Sequence, residues 1–571
     1  MNQTEGASSM TAAQEPMWVK NYQPGVPATI ELPTESLTAM VEDAVVRFGP
    51  KVALEFFGAE TTYSQLGDQI NRAAEGLRRL GVRRGHRVAI VLPNCPQYLI
   101  AFYAVLRLGA VVVGHNPLYT ERELRHQFEN HGAQVAIIWD KAAEKIQDFP
   151  DDIAVKTVIA VDITKAMPRL KRMALRLPLP SLRRTRAGLT AKTENTMSWE
   201  KLLSSGPIDS AHPRPSVRDL AALQYTSGTT GIPKGVMLTH YNLRSNALQG
   251  QAWMHGAQEG KEVIYGVLPM FHAFGLTLYL TFSVLTGSRL VLFPKFDVDL
   301  VLDAAKKSKP TVFCAVPPIY EKTALESKKR GIDLSTIRFA ISGAMTLPAA
   351  TVKLWEEVSG GLLVEGYGLT ESSPVALGNP FADTRRNGTI GVPFPSTEMR
   401  VADPEHPEND VPQGTPGELL IRGPQVFSGY WNNTEDTEQV LLDGGWLRTG
   451  DIVTVDDDGF VKVVDRRKEL IITGGFNVSP TEVEEVLRSN QAIADVAVVG
   501  LPRADGGEQV VAAVVLTEGA ELDEAALRAW SRERLTPYKV PRRIVAIDEL
   551  PKSLLGKVLR REVRELLTES K

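Results

Sequence analysis

Between Thr62 and Trp139 the hydrophobic and polar positions follow two rhythms. "TYSQLGDQINRAAEGLRRLG", "PQYLIAFYAVLRLGA" and "ERELRHQFENHG" read as helical runs, while "RVAIVLP" and "AQVAIIW" are short apolar runs of strand length. Strand-length segments separated by helix-length ones predict βα units and a parallel sheet covered on both faces. The rhythm returns between Val263 and Gly366, where "RLVLFP", "TVFCAVP", "IRFAISGA" and "GGLLVEGYG" are strand candidates whose ends run into Gly, Pro or Ser. Open α/β sheets place their ligand loops at such ends.

After about residue 385 the strands shorten. "DIVTVDDDGFVKVVDRR" predicts a hairpin turning at Asp458-Gly459. "SPTEVEEVL" predicts a helix with Ser479 as N-cap, Pro480 at the first position, Glu482 as capping-box partner, and Val483, Val486 and Leu487 at helical spacing. "ADVAVVG" and "QVVAAVVL" read as buried strands, and "DEAALRAWSRERL" and "VLRREVRELL" as helices, the last with Leu559, Val563, Leu566 and Leu567 on one face. The chain is therefore expected to be α/β, with a compact α+β unit at its end. The charged "DRRKE" sets the expected division: a mobile tail over 1–30, a large domain over 31–465 and a small domain over 466–571.

Composition narrows the function classes. The 571 residues are 43% hydrophobic and 23% charged, and 64 Lys+Arg against 68 Asp+Glu leave a formal charge of −4. Nothing favours a polyanionic partner such as nucleic acid. The two cysteines, Cys95 and Cys314, have no metal-like spacing, so a reducing compartment and a cytoplasmic enzyme are expected. The opening "MNQTEGASSMTAAQEPMW" lacks the basic start and apolar core of a signal peptide, and "GLTLYLTFSVLTG" is too short for the roughly 20 apolar residues that cross a bilayer. One segment breaks the charge balance. Lys165 to Lys192 holds nine Lys or Arg and no acidic residue, interleaved with Leu, Met and Pro. It reads either as a solvated excursion or as a membrane-surface patch.

The densest chemistry lies in "YTSGTTGIPKG". Thr226, Ser227, Gly228, Thr229, Thr230 and Gly231 offer backbone N–H groups and hydroxyls to phosphate oxygens, and Lys234 adds positive charge. This phosphate loop is not of the Walker kind, and the usual dinucleotide and α/β-hydrolase signatures are absent. Taken singly, His272 in "MFHAFG" reads as a core histidine, "RTGD" as a turn and Lys557 as a surface charge.

Six strings taken in order say more. "YTSGTTGIPKG", "LPMFHAFGL", "VEGYGLTESSP", "WLRTGD", "VVDRRKELI" and "LPKSLLGKVLRR" resemble the motifs of the adenylate-forming (ANL) superfamily of acyl-CoA synthetases, luciferases and peptide-synthetase adenylation domains, and within it the bacterial long-chain fatty-acid–CoA ligases. The likeness runs from about Leu37 to Leu567. It implies a large N-terminal domain of βα sandwich subdomains with a small β-barrel-like subdomain, followed by a small mobile α+β domain. It also implies ATP, Mg²⁺ and coenzyme A, with a medium- to long-chain fatty acid as the other substrate.

By this resemblance Glu371 is the magnesium ligand, with Thr226 beside it, and Thr370 contacts the α-phosphate. Tyr367 stacks on adenine, with the backbone of Gly343 and Ala344 at its edge, while Asp451 and Arg466 take the ribose. His272 gates the acyl carboxylate, and Lys557, rather than the nearby Lys552, is the catalytic lysine of adenylation. Lys468 is the hinge about which the small domain turns between half-reactions, and Gly474, Gly475 and Phe476 in "GGFN" then line the pantetheine tunnel. Ile472 stands where the plant coumarate-ligase and luciferase pattern has a lysine; "IITGGFNVSP" is closer to the fatty-acid ligases. Three other readings stay open: an aryl- or coumarate-type ligase, an acyl-AMP ligase loading a carrier protein, and a non-catalytic nucleotide- or acyl-binding protein.

Overall fold

The computed structural model describes residues 16–569, apart from 148, 151, 227–232, 467, 468, 470, 474, 475, 504–507, 536, 554 and 555. The two βα rhythms become two sheets. The first has seven strands in the order Met197–Ser198, Thr157–Val161, Val135–Trp139, Arg87–Val91, Val111–Gly114, Leu220–Tyr225 and Gly235–Thr239. All its pairings are parallel except that of the last two strands, which flank the phosphate loop. The second has nine, with the parallel set Leu363–Gly368, Phe339–Ser342, Val312–Ala315, Val263–Gly266, Arg289–Leu292 and Val52–Phe56 at its centre.

One apolar cluster joins residues of both sheets, including Val88, Ile90, Leu54 and Ile264. The helix Pro96–Arg107 lies within it with every residue buried. "PQYLIAFYAVLR" has no polar stripe to turn towards water, so only a place covered on all sides suits it. Capping boxes start the helices that follow short strands or turns: Thr62 with Gln65, Thr120 with Glu123, and Thr239 with Asn242.

The hairpin forms as expected, Trp446–Val455 against Val461–Arg466, and joins Glu398–Ala402, Gly417–Arg422 and Leu441–Leu442 in a five-stranded antiparallel sheet. After it, separate apolar clusters form around Ile493–Pro502, Glu508–Leu516 and Arg543–Ala546, covered by the helices Pro480–Arg488, Glu524–Arg532 and Arg560–Glu569. These are the core of the small α+β domain.

Three local expectations change. Ser479 does cap its helix, accepting the Glu482 amide at 3.1 Å, but the Glu482 carboxylate turns to the Lys539 ammonium at 2.6 and 2.7 Å. An ion pair outbids the weaker bond back to the cap. The last helix begins at Arg560, so Lys557 precedes it in a turn, and of the expected apolar face Val563 and Leu567 are buried while Leu566 is exposed.

The third concerns the chain's start. Residues 1–15 lie outside the described ones, but 16–30, expected within a mobile tail, form a packed strap. Asn21 and Tyr22 are buried; Lys20 Nζ pairs with Asp458 at 2.7 Å, the Asn21 amide donates to the Asp458 carbonyl at 2.7 Å, and the Tyr22 hydroxyl donates to the Pro393 carbonyl at 2.5 Å. Trp18, Val19 and Tyr22 bury against Trp253, Val392, Phe394 and Phe460. Aromatic anchors pack this segment where a mobile tail was expected.

Candidate functional site

A cleft of about 1890 Å³ runs between the C-terminal ends of the central strands and the small domain. Among its walls are Thr226, Lys234, His272, Gly343, Ala344, Tyr367, Thr370, Glu371, Asp451 and Lys557. Sequence-distant candidates thus share one space. Ser227, Gly228, Thr229, Thr230, Gly231, Lys468, Gly474 and Gly475 lie outside the described residues, as do the side chains of Arg466 and Phe476.

The phosphate loop leaves one strand and returns on the next. Tyr225 stands opposite Gly235 in the ladder, and the Thr226 amide donates to the Lys234 carbonyl at 3.0 Å, closing the neck. Lys234 points its ammonium at Asp436, 2.7 Å away, and lies 5.1 Å from the Tyr430 ring centre. The Tyr430 hydroxyl donates to Glu371 Oε1 at 2.7 Å. Burial, then the Glu371 charge, push that phenol further up, so it stays a donor. Glu371 is also tied through its carbonyl to the Phe427 amide at 2.8 Å. Sequence reasoning missed Tyr430 and Asp436, which orient the cation and carboxylate it did find; an aromatic after glycine in "SGYW" is too common to single out.

Leu363–Gly368 runs straight into the turn Thr370–Ser372, carrying Tyr367, Thr370 and Glu371 along one rim. Gly368 is required there: a Cβ would strike the Pro374 carbonyl. The Tyr367 hydroxyl donates to Asp451, whose amide bonds Thr449 Oγ1 at 3.1 Å. Asp451 lies directly opposite Arg466 in the hairpin. Ala344 adopts a left-handed conformation, φ 65°, beside Gly343, where a Cβ would stand 3.0 Å from Phe274 Cε1. The backbone is thereby brought to the cleft surface.

His272 caps the short turn Ala273–Gly275, its Nδ1 accepting the Phe274 amide at 3.4 Å. Removal from water pushes its ring down to about 4, so it is neutral at pH 7. The neighbouring Glu365 was also missed. Burial raises its carboxyl to about 8, only partly offset by a bond from the Leu347 amide. A protonated carboxyl in the floor keeps one negative charge away from anionic substrates.

Lys557 reaches the cleft from the small domain on a turn in which the Ser553 amide donates to the Lys557 carbonyl at 2.8 Å and the Lys557 amide to Ser553 Oγ at 3.2 Å. Gly556, φ 80°, allows that turn, and a Cβ there would lie 3.5 Å from Met345 Sδ of the large domain. Lys552 instead faces Asp495 at 2.6 Å. Arg560 spans Glu469 and Glu484, tying the start of the small domain to its last helix.

Among the described residues no group of three His, Cys, Asp or Glu could hold a metal ion. That suits Mg²⁺, which commonly takes one or two protein carboxylates and completes its shell with water and substrate phosphates. Glu371, held by Tyr430 at the rim beside Thr226, is a fitting donor.

Known proteins resemble the chain over nearly its whole length. The AMP-binding enzyme family matches residues 41–431, and the AMP-binding enzyme C-terminal domain matches residues 482–557. The chain is 40% identical over 572 residues to a long-chain-fatty-acid–CoA ligase of Bacillus subtilis, covering 98% of this chain and 99% of the relative. It is 38% identical to the ligase of that name from Yersinia pestis, covering 96% and 98%. The ATP-bound MatB of Rhodopseudomonas palustris superposes with a TM-score of 0.79 at 29% identity, covering 94% of this chain and all of that one. The chain belongs to the AMP-binding, adenylate-forming enzyme family.

Proposed function

We propose that the chain is an ATP- and CoA-dependent acid–thiol ligase that activates a medium- to long-chain fatty acid as acyl-AMP and releases acyl-CoA, AMP and pyrophosphate. The observation that carries this reading is the single cleft in which a small-domain lysine meets a large-domain rim bearing a carboxylate, a threonine and an aspartate–tyrosine pair. The same cleft is also lined by the apolar side chains of Leu278, Phe282, Ile341 and Val364.

A carboxylate is a poor electrophile, and its approach to a polyphosphate is opposed by like charge. Lys557 offsets that charge at the carboxylate and α-phosphate oxygens, and Lys234 with the phosphate loop does so at the outer phosphates. Thr370 donates to the α-phosphate. Glu371 and Thr226 would hold Mg²⁺, which when bound would supply further neutralisation of phosphate charge. Asp451 accepts from the ribose hydroxyls with Arg466 opposite, and the Tyr367 ring lies along adenine against the Gly343–Ala344 backbone. Neutral His272 stands beside the acyl carboxylate without adding charge. In the second step the CoA thiol attacks the acyl-adenylate carbonyl and AMP leaves. Lys557 and the pantetheine arm need the same face, so the small domain, residues 466–571, turns about Lys468 and brings Gly474, Gly475 and Phe476 to the tunnel.

The test is Lys557→Ala. Formation of acyl-AMP should fall about 10²- to 10³-fold, the scale of losing one positioned charge, while thioester formation from supplied acyl-AMP is retained. Equal loss in both halves would overturn the assignment. Mass spectrometry over acids from acetate to oleate, with coumarate, separates fatty from aryl acids, and accumulation of acyl-AMP with CoA present would indicate a carrier-loading enzyme.

We also propose a cytoplasmic enzyme that touches the inner membrane face through residues 165–192. The helices Arg169–Ala174 and Pro180–Leu189 have no buried residue, and Leu170, Met173, Leu177 and Leu179 are exposed among the basic side chains. Equal flotation with anionic and neutral vesicles would refute the contact.

A further inference from the structure

The lining of the cleft also includes Trp253, Gly378 and Phe394. Trp253 and Phe394 are buried and stack with ring centres 4.4 Å apart at 22°. The indole N–H donates to the Asn379 carbonyl at 3.2 Å, fixing the ring's orientation. Gly378 lies against both. A Cβ there would stand 2.8 Å from Phe394 Cε1 and 3.5 Å from Trp253 Nε1.

Behind this wall sits the N-terminal strap. Tyr22 meets the Trp253 ring edge-on, 5.1 Å between centres at 82°, and its hydroxyl holds the Pro393 carbonyl next to Phe394. Trp253 is therefore held by a stacked ring, a hydrogen bond and an edge contact, and cannot swing outward unless Tyr22 moves. Close-packed interiors do not yield to an extra methylene without such movement.

We propose that Trp253 and Phe394 form the stop that meets the far end of the acyl chain, and that the strap, acting through Tyr22 as a positioning residue, sets the depth of the pocket and so its longest well-accepted acid. The proposal rests on the reading of the cleft as a fatty-acid site. The strap is then part of the measuring device, although its residues lie far from the reacting carboxylate.

The experiment measures kcat/KM for acyl-CoA formation over saturated acids from octanoate to docosanoate, for the full chain and for Trp253→Ala, Tyr22→Ala and Gly378→Ala. Trp253→Ala and Tyr22→Ala should raise the ratio of the longest to the middle acids by about tenfold, the scale on which a hydrophobic pocket senses a methylene or two. Gly378→Ala, whose added methyl presses on Phe394, should move the ratio the other way. It is the smallest change and keeps the test decisive if an alanine at Trp253 unfolds the wall. A fall in rate shared equally by all acids marks a merely structural role and overturns the proposal, as does an unchanged ratio in all three variants. Wild-type protein that activates no fatty acid but does activate coumarate overturns the fatty-acid reading instead, and the two failures are thereby told apart.

Discussion

Glu365 offers a quantitative test of the cleft's electrostatics. Its carboxyl is displaced from the reference 4.5 to about 8 by burial in the floor, so the folded protein keeps the proton through neutral pH while the unfolded chain releases it. Between pH 4.5 and 8 the folded state binds the extra proton. Its contribution to stability is therefore complete below pH 4.5 and is lost as pH rises through that window, at about 1.36 kcal/mol per pH unit. The displacement of about 3.5 units sets an upper limit of roughly 5 kcal/mol. Glu365→Gln keeps the shape of the neutral acid and cannot ionise. Urea midpoints of the large-domain transition for both proteins from pH 5 to 9 isolate the term, because every other titration cancels in the difference. The variant should gain on the wild type steadily with pH and level off above 8. A difference flat to within about 0.5 kcal/mol over that range would refute the assignment of Glu365 as a protonated floor residue.

Other consequences can be checked as directly. Burial lowers His115, His240 and His272 to about 4, so their contribution is present above pH 6.5 and falls away towards pH 4; three such groups outweigh the opposite trend of Glu365, and moving from pH 6.5 to 5 should cost roughly 3 kcal/mol from these four groups, read as a lower melting temperature at pH 5. Tyr430→Phe removes the hydroxyl that orients Glu371 and should lower kcat/KM for ATP about 10- to 100-fold, with a fall in melting temperature as well, since a hydrogen bond to a charged group contributes about 1.5–3 kcal/mol to stability. Arg560→Ala leaves Glu484 buried without its cation and should destabilise the small domain by about 3–5 kcal/mol, seen as earlier protease nicking after residue 466.

The βα rhythms and the hairpin could be read from local pattern because each is governed by neighbours in sequence: apolar runs bounded by turn residues, and an Asp-Gly pair between alternating strands. Motif and chemistry coincide at Lys234, Tyr367, Glu371 and Asp451, and the fold brings these four to one cleft. What escaped depends on distant pairing. Tyr430 acquires its meaning only from Glu371, 59 residues away, and Glu365 only from the burial of its strand end. Glu482 was claimed by Lys539, 57 residues on, which no local capping pattern reveals. The strap, expected as a mobile tail, was misread for the same reason: its anchors were hundreds of residues off.

The strap also bears on how the protein is made. Tyr22 is synthesised well before its partner Pro393, which comes 371 residues later, and Asn21 before Asp458, which comes 437 residues later. At about 5–20 residues per second a ribosome needs on the order of 20 s to more than a minute to span that gap. Throughout it Trp18, Val19 and Tyr22 have no finished surface to cover. The strap is thus made before the surface it docks on, and a chain arrested before Phe394 carries an exposed aromatic segment that a holding chaperone would recognise.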